Sequence, residues 1–197
     1  MERCSAIVLA GGRATRLGGV NKAQLEVGAV SILDRVVAAL RPLADQIVLV
    51  GHLAAENPPV GTEVVPDAME HSTLVGIYTG LMAARNDLAL VVGCDMPFLS
   101  TPLLERIALL SDGYDVAVPM VRGHLEALHA AYRRSCLPEM EEAILRQQLK
   151  IIDFYPELRV RIVRETEIRE IDPEFRSFFN VNNPADLEKA RALASRK

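Results

Sequence analysis

The sequence predicts an α/β protein with one mostly parallel sheet between two layers of helices and an antiparallel portion in its second half. Two observations support this class. Short apolar runs such as residues 6–10 and 88–92 are bounded by glycine or charged residues, which is typical of central strands buried on both faces. Stretches with the apolar spacing of helices separate these runs, and this alternation is the pattern of parallel strands joined by helices.

The first half of the chain supplies most of the predicted parallel strands. Ser31 is placed to cap a helix whose apolar residues share one face. The order strand, helix, strand predicts a right-handed parallel unit. The predicted strands cover residues 6–10, 46–51, 63–66 and 88–92, and a second helix leads from residues 71–76 to about residue 85.

The second half predicts the antiparallel portion and a closing helix. Arg122-Gly123-His124 is a turn between two alternating runs, and Asn183-Pro184 forms the cap and first turn of the last helix. No repeat, low-complexity tract or linker divides the chain, so we expect a single-domain, Rossmann-like three-layer α/β/α sandwich over residues 1–197. Its other predicted elements are a helix that opens at Thr101-Pro102 with proline at its first position, a helix from Ser135 to about residue 149, and strands at 114–121, 127–132 and 159–163.

Composition excludes several classes of protein. No apolar run approaches the length of a membrane span, and the first residues pass into the first strand without room for a signal peptide, so we expect a soluble, cytoplasmic protein. Three cysteines without metal or redox spacing, Cys4, Cys94 and Cys136, are expected to be unpaired thiols. A net charge of −4 argues against a general nucleic-acid binder.

The first strand runs directly into a basic, glycine-rich loop, and this loop is the most informative stretch of the chain. Gly11, Gly12, Gly18 and Gly19 allow backbone conformations that bring N–H groups close to an anion. The same loop carries positive charge on Arg13, Arg16 and Lys22, and we therefore interpret it as a phosphate-binding loop.

The spacing of the loop distinguishes between phosphate-binding motifs. Neither a Walker loop nor the dinucleotide fingerprint Gly-x-Gly-x-x-Gly is present. The pattern Leu-Ala-Gly-Gly-x-x-x-Arg-x-Gly-Gly-x-x-Lys at residues 9–22 resembles the signature of nucleotidyltransferases that join a nucleoside triphosphate to a small phosphorylated acceptor. The doubled glycine before Lys22 is most similar to the molybdenum cofactor guanylyltransferase family, the molybdopterin-guanine dinucleotide biosynthesis protein A family.

Asp95 is the candidate metal ligand, because it follows a buried strand at the edge where parallel sheets bind ligands. A carboxylate there can hold Mg²⁺ while phosphates and waters complete the coordination shell. An aspartate that ends a strand is more often a turn or cap residue when considered alone. The Cys-Asp-x-Pro context at residues 94–97 resembles the family's metal-binding segment and favours the metal.

Two glycines and two histidines invite a functional role. Gly76 and Gly80 share a helix face; for Gly80 close packing on the sheet is favoured, whereas Gly76 lies in a segment related to one in the family. His124 and His129 have no assignable partner, and we do not predict either as a general base. Arg122, Arg133 and Lys150 are more readily explained as solvated charges than as an acceptor-phosphate surface.

The resemblance implies transfer of GMP from GTP to the molybdenum-bound pterin, which releases pyrophosphate and forms the guanine dinucleotide cofactor. It also implies a nucleotide-binding half over residues 1–100, an acceptor-binding half over residues 101–197, and partners that deliver the cofactor or mature molybdoenzymes. The implied catalytic residues are Arg16, Lys22 and Asp95, with Asp95 on Mg²⁺; the nucleotide-binding residues are Leu9, Ala10, Gly11, Gly12, Lys22, Asp67, Gly76 and Asp95; and Asn180 and Asn182, in the Asn-x-Asn motif, bind the acceptor.

Two departures from the family pattern keep alternatives open. Ser-Thr-Leu-Val-Gly at residues 72–76 stands where the family has Gly-Pro-Leu-Ala-Gly, and Asn21 stands where it often has aspartate. A cytidylyltransferase for the same pterin or a sugar-phosphate nucleotidyltransferase is one alternative. A nucleotide-binding regulator without catalytic activity is the other. For Asn180 and Asn182, hydrogen bonding within a turn is as good an explanation as acceptor binding.

Overall fold

The computed structural model describes residues 3–10, 22–51, 58–66 and 72–195. The described strands are β1 Cys4–Leu9, β2 Glu26–Val27, β3 Val30–Ser31, β4 Ala44–Val50, β5 Glu63–Val65, β6 Leu88–Gly93, β7 Val116–Val121, β8 His124–Leu125, β9 His129–Arg133 and β10 Val160–Val163. The described helices are α1 Ile32–Leu40, α2 Thr73–Ala83, α3 Thr101–Leu110, α4 Leu137–Leu145, α5 Glu165–Arg169 and α6 Pro184–Ala194.

The main sheet has the strand order β10-β7-β9-β6-β1-β4-β5, and β8 pairs with β7 at one end of that strand. β1 lies between β4 and β6 and is parallel to both. β9 is antiparallel to both of its neighbours, β6 and β7, so β7 runs in the same direction as β6. The prediction of a mostly parallel sheet with an antiparallel portion in the second half is therefore confirmed.

Helices cover both faces of the sheet, and alternate side chains of β1 show the two layers of core. Ala6 and Val8 belong to a cluster that includes buried residues of α1, α3 and α6. Ile7 and Leu9 belong to a second cluster with buried residues of α2 and α4. This arrangement is the predicted three-layer α/β/α sandwich.

Four helices begin at polar residues whose side chains accept a backbone N–H from the first turn. Ser31, Ser72, Ser100 and Asn183 cap α1, α2, α3 and α6 in this way. Such caps satisfy backbone donors that would otherwise lack partners at a helix start. The caps predicted at Ser31 and Asn183 are confirmed, whereas α3 begins at Thr101 with Pro102 as its second residue, not its first.

Helix α4 is shorter than the prediction from Ser135 to about residue 149. Residues Arg134–Cys136 form a 3-10 turn, and the α-helix begins only at Leu137. At the other end Gln147 has φ = 59°, a left-handed conformation that ends a right-handed helix. Both differences arise from local backbone geometry that the continuing apolar spacing does not indicate.

Candidate functional site

The carboxyl edge of the sheet, where β1, β4, β6 and β7 end at Leu9, Val50, Gly93 and Val121, is the edge at which open α/β sheets bind ligands. The Ala10 N–H donates to the Val50 carbonyl at 2.8 Å, and the Cys94 N–H donates to the Leu9 carbonyl at 3.1 Å. The segments that follow β1, β4 and β5 (11–21, 52–57 and 67–71) lie outside the described residues. The predicted site residues Gly11, Gly12, Arg16 and Asp67 fall in them, and of Lys22 only the backbone, which starts the 3-10 turn Lys22–Gln24, is described.

Asp95 is half-buried beyond the end of β6. Its Oδ1 atom lies 2.8 Å from the position that a Cβ atom on residue 93 would occupy. A Cβ atom on residue 93 would displace the carboxylate from this position, so the glycine leaves the strand end open to Asp95. The sequence patterns predict no role for Gly93, although a glycine two residues before the aspartate is the available signal.

The Asn-x-Asn segment meets the Asp95 turn directly. The Val181 N–H donates to the Asp95 carbonyl at 2.9 Å, which places Asn180 and Asn182 on either side of a residue bonded to the metal-ligand candidate. The Asn182 N–H also donates to the Asp186 carboxylate at 3.1 Å, next to the cap of α6. The Asp95 turn and the Asn-x-Asn segment, which no sequence pattern connects, are thus joined at the carboxyl edge of the sheet.

The two glycines of helix α2, Gly76 and Gly80, have different surroundings. A Cβ on Gly80 would overlap the Ile7 side chain on β1, so Gly80 allows the helix to lie close to the sheet, as predicted. Gly76 is buried in the first turn and its N–H donates to the Ser72 carbonyl at 3.0 Å. The Ser72 side chain caps the same turn. This cap is a structural reason for a serine at residue 72, where the family pattern has glycine.

A buried polar cluster behind the Asn-x-Asn segment was missed by the sequence analysis. His129 is fully buried, and its Nε2 lies 3.3 Å from the Ser177 hydroxyl, which accepts the Ser100 N–H at 2.9 Å. Its ring packs on Phe178 with 4.5 Å between ring centroids. Burial lowers the pKa of His129 to about 3, so it is neutral at pH 7.

Arg133 and Lys150 do not join this site. Arg133 pairs with Asp87 at 2.8 Å at the amino edge of the sheet, where β1, β4, β6 and β7 begin. Lys150 is exposed and pairs with Asp153 at 3.7 Å. The preference for solvated charges over an acceptor-phosphate surface agrees with these pairings.

The amino edge also holds a buried carboxylate. Asp115 accepts the Arg159 backbone N–H at 2.9 Å, two guanidinium N–H groups of Arg159 at 3.0 and 2.8 Å, and the Ser135 hydroxyl at 2.7 Å. The guanidinium of Arg159 holds the pKa of Asp115 well below its usual range. These contacts satisfy the carboxylate completely and mark it as a structural group.

Comparison with known proteins shows which family has this architecture. Residues 6–160 match the family described as the MobA-like NTP transferase domain, which is more than half of the chain. The chain belongs to this MobA-like family.

Relatives that match this MobA-like chain over nearly their whole length are named as molybdenum cofactor guanylyltransferases. It is 39% identical to a probable molybdenum cofactor guanylyltransferase of Pelotomaculum thermopropionicum, over 98% of this chain and 95% of the relative. It is 34% identical to a molybdenum cofactor guanylyltransferase of Desulfosudis oleivorans, over 98% of this chain and 96% of the relative.

Solved structures share the fold of the MobA-like chain. Molybdopterin-guanine dinucleotide biosynthesis protein A from Archaeoglobus fulgidus superposes with a TM-score of 0.82 at 27% identity, over 98% of this chain and 100% of that one. A 2-C-methyl-D-erythritol 4-phosphate cytidylyltransferase from Thermus thermophilus superposes with a TM-score of 0.73 at 24% identity, over 98% of this chain and 99% of that one. The second similarity shows the fold alone.

Membership of the MobA-like family makes the chain a nucleotidyltransferase, a class that typically depends on a divalent metal. Among the described residues, no group of three or more His, Cys, Asp or Glu side chains could hold a metal by itself. A single carboxylate, such as that of Asp95, fits a hard cation that takes most of its ligands from phosphates and water. Cys4, Cys94 and Cys136 form no disulfide among the described residues, as predicted, and all three are buried. No described helix is long and apolar enough to cross a membrane.

Proposed function

We propose that this chain is a molybdenum cofactor guanylyltransferase, which transfers GMP from GTP to molybdenum-bound molybdopterin and releases pyrophosphate. The observation that carries the proposal is the hydrogen bond from the Val181 N–H to the Asp95 carbonyl, because it joins the candidate metal ligand to the candidate acceptor segment. Full-length relatives named molybdenum cofactor guanylyltransferase support the same assignment.

The reaction requires the protein to position the two substrates and to neutralise charge, and it requires no covalent nucleophile. A phosphate oxygen of the acceptor attacks the α-phosphorus of GTP, the bond from that phosphorus to the bridging oxygen breaks, and pyrophosphate leaves with that oxygen. Negative charge accumulates on the leaving pyrophosphate. Arg16 and Lys22 would stabilise that charge, and Asp95 would anchor a cation close to it.

The nucleotide is assigned to residues 1–100 of the chain. Leu9, Ala10, Gly11 and Gly12 would approach it through their backbone, and since the Ala10 N–H already donates to Val50, Ala10 would use other backbone groups. The other nucleotide contacts are assigned to Lys22, Asp67, Gly76 and Asp95. The acceptor is assigned to residues 101–197, with Asn180 and Asn182 as its ligands.

Asp95 would hold Mg²⁺, which supplies charge neutralisation on the phosphates when bound. The half-buried carboxylate over Gly93 is suited to this role because its position is restricted by the turn that Val181 closes. We further propose a cytoplasmic setting, in keeping with three cysteines that form no disulfide among the described residues, and exchange of the pterin with cofactor-delivery or molybdoenzyme-maturation proteins. We assign the chain no nucleic-acid or membrane partner.

The deciding experiment measures pyrophosphate release and dinucleotide formation from purified protein, molybdenum-loaded molybdopterin and each of GTP, CTP, ATP and UTP, with and without Mg²⁺. We expect formation of the dinucleotide with GTP and Mg²⁺ at a rate well above that with the other nucleotides. Faster transfer with CTP would make the chain a cytidylyltransferase. Nucleotide binding without transfer to any acceptor would make it a regulator.

A further inference from the structure

A cavity of about 390 Å³ lies beyond the carboxyl end of β7, outside the residues assigned to GTP. The turn between β7 and β8 forms one wall, and the residues that lead into the Asn-x-Asn segment form another. Phe175, Phe178 and Phe179 contribute aromatic surface to that second wall. The volume and the aromatic lining are typical of a pocket for a planar small molecule.

Glu126 lines this cavity from a rigid position. Its N–H donates to the Pro119 carbonyl at 2.9 Å, and its carbonyl accepts the His129 N–H at 3.0 Å. The side chain is half-buried, and burial raises the pKa of Glu126 above its ordinary value. The backbone on both sides of this carboxylate is therefore held by β7 and β9.

The Glu126 carboxylate differs from the other carboxylates near the cavity. Glu174 pairs with Arg176 at 2.5 Å, and Glu165 accepts the Arg122 N–H at 2.6 Å. The Glu126 carboxylate has no hydrogen bond or ion pair within the part of the chain that the structure describes, although Arg122, His124 and Arg176 line the same cavity. A half-buried carboxylate without donors is an incomplete recognition element.

The chemistry of the missing partner follows from the two oxygens of the carboxylate. A planar group with two adjacent N–H donors can satisfy both oxygens at once, as a guanidinium does. The aminopyrimidinone edge of a pterin presents such a pair of donors, and the faces of its two fused rings suit the aromatic wall. The cavity therefore offers a pterin a carboxylate for its aminopyrimidinone edge and aromatic surface for its ring faces.

The position of the cavity also suits a ring attached to the reacting phosphate. β7 is two strands away from β6, which corresponds to roughly 10 Å along the carboxyl edge from Asp95. Phe179 directly precedes Asn180, so the aromatic wall is continuous with the segment bonded to the Asp95 turn. A phosphorylated pterin can thus place its phosphate near Asp95 and its ring in the cavity.

We infer that this cavity binds the pterin ring of the acceptor and that the Glu126 carboxylate accepts hydrogen bonds from its aminopyrimidinone edge. The inference rests on the proposed function, since it assigns a site to part of the acceptor. It makes Glu126 a specificity-determining residue for the ring, remote from the atoms that react.

The test measures ring binding without GTP or turnover. The chain contains no tryptophan, so the fluorescence of 6-hydroxymethylpterin can be followed against little protein background. The matching lumazine, with a carbonyl in place of the amino group, lacks one donor of the edge. We expect the full-length protein to bind the pterin about tenfold more tightly than the lumazine, which is the effect of one hydrogen bond to a charged group.

Glu126→Gln keeps the shape of the side chain and replaces one acceptor oxygen with a donor. It should weaken pterin binding about tenfold and reduce the preference over lumazine to about twofold or less. Glu105→Gln, an exposed glutamate on α3, is the matched control and should behave as the unmodified protein. A wild-type protein without pterin binding or without preference, or a folded Glu126→Gln variant with unchanged affinities, would overturn the ring site.

A separate assay of GMP transfer distinguishes this inference from the proposed function. Glu126→Gln should raise the acceptor KM about tenfold while kcat and the KM for GTP stay within about threefold. Transfer that is insensitive to Glu126 contradicts the ring site alone. Pterin binding that depends on Glu126, in a protein that transfers no GMP to any acceptor, contradicts the proposed function alone.

Discussion

The amino and carboxyl edges of the sheet differ in how completely their buried polar groups are satisfied. At the amino edge the Asp115 carboxylate receives four donors from Arg159 and Ser135. At the carboxyl edge His129 is fully buried, yet its Nδ1 has no hydrogen-bond partner among the described residues. A satisfied network favours one rigid structure, whereas groups left without partners are typical of functional sites. We therefore expect substitutions at the amino edge to change stability and those at the carboxyl edge to change activity.

The largest effect should come from the charged groups assigned to catalysis. We expect Asp95→Ala and Lys22→Ala each to reduce GMP transfer by about two to four orders of magnitude, because each removes a group that neutralises developing charge. Transfer is measured at saturating GTP and acceptor. Asp87→Ala, at the amino edge, is the control and should retain transfer within about twofold. Near-normal turnover in both catalytic variants would eliminate the proposed site.

The corresponding change at the amino edge should act on stability. Asp115→Ala leaves the Arg159 and Ser135 donors without their acceptor, and we expect a loss of about 2–4 kcal/mol in the free energy of unfolding. Urea titration measures this loss, with exposed Asp112→Ala as the control. Transfer per folded molecule should remain normal, and a large fall in kcat at full stability would reverse the assignment of the two edges.

The two edges should also respond to acid in different ranges of pH. In the folded protein the pKa of His129 is about 3, against an ordinary value of 6.5. Below pH 6.5 His129 therefore binds a proton in the unfolded chain but not in the folded one. Stability should therefore fall by about 2 kcal/mol between pH 7 and pH 5 from this residue alone. The contribution of Asp115, whose folded pKa is lowered, persists above its ordinary pKa of 3.8 and is lost only below it.

Urea titrations at pH 7 and pH 5 test this contrast. His129→Leu should remove the pH-dependent loss, although it also alters packing at both values. Exposed His124→Gln should leave the loss as it is in the unmodified protein. An equal fall in stability for His129→Leu and the unmodified protein would show that His129 does not cause it.

The smallest effects are expected from alanine substitutions at two glycines. Gly93→Ala would press its methyl group against the Asp95 carboxylate, and we expect about a tenfold loss of transfer with little change in stability. Gly80→Ala would instead press on Ile7 and should cost about 1–3 kcal/mol of stability, with normal transfer per folded molecule. Thermal melts and initial rates separate the two outcomes. Identical behaviour of both variants would mean that Gly93 has only a packing role.

Local patterns predicted the strands longer than two residues, two of the four helix caps and the fold class, because each of these leaves a signal in residues that are neighbours in sequence. Ser31 and Asn183 cap helices where the sequence placed them. The pairing of Asp115 with Arg159 was not predictable, since it requires β10 to lie beside β7.

The same limit applies to the candidate site. His129 reaches Ser177 only because β9 enters the sheet between β6 and β7, an order that no local pattern encodes. The family resemblance identified Asp95 and the Asn-x-Asn motif as candidate site residues. It did not predict the hydrogen bond from the Val181 N–H to the Asp95 carbonyl that joins them. The Glu126 carboxylate, which has no hydrogen bond or ion pair among the described residues, is likewise identified only when its surroundings are known.

The hydrogen bond between Val181 and Asp95 has a consequence for the order in which the molecule folds. It connects residues about as far apart in sequence as the paired residues of β1 and β6, but it is a single hydrogen bond, whereas the strand pair forms a ladder of hydrogen bonds that offsets the entropy cost of closing the loop. We expect the parallel sheet to assemble first and this contact to form late in refolding. Catalytic competence should then appear after the recovery of secondary structure, as a separate and slower kinetic phase.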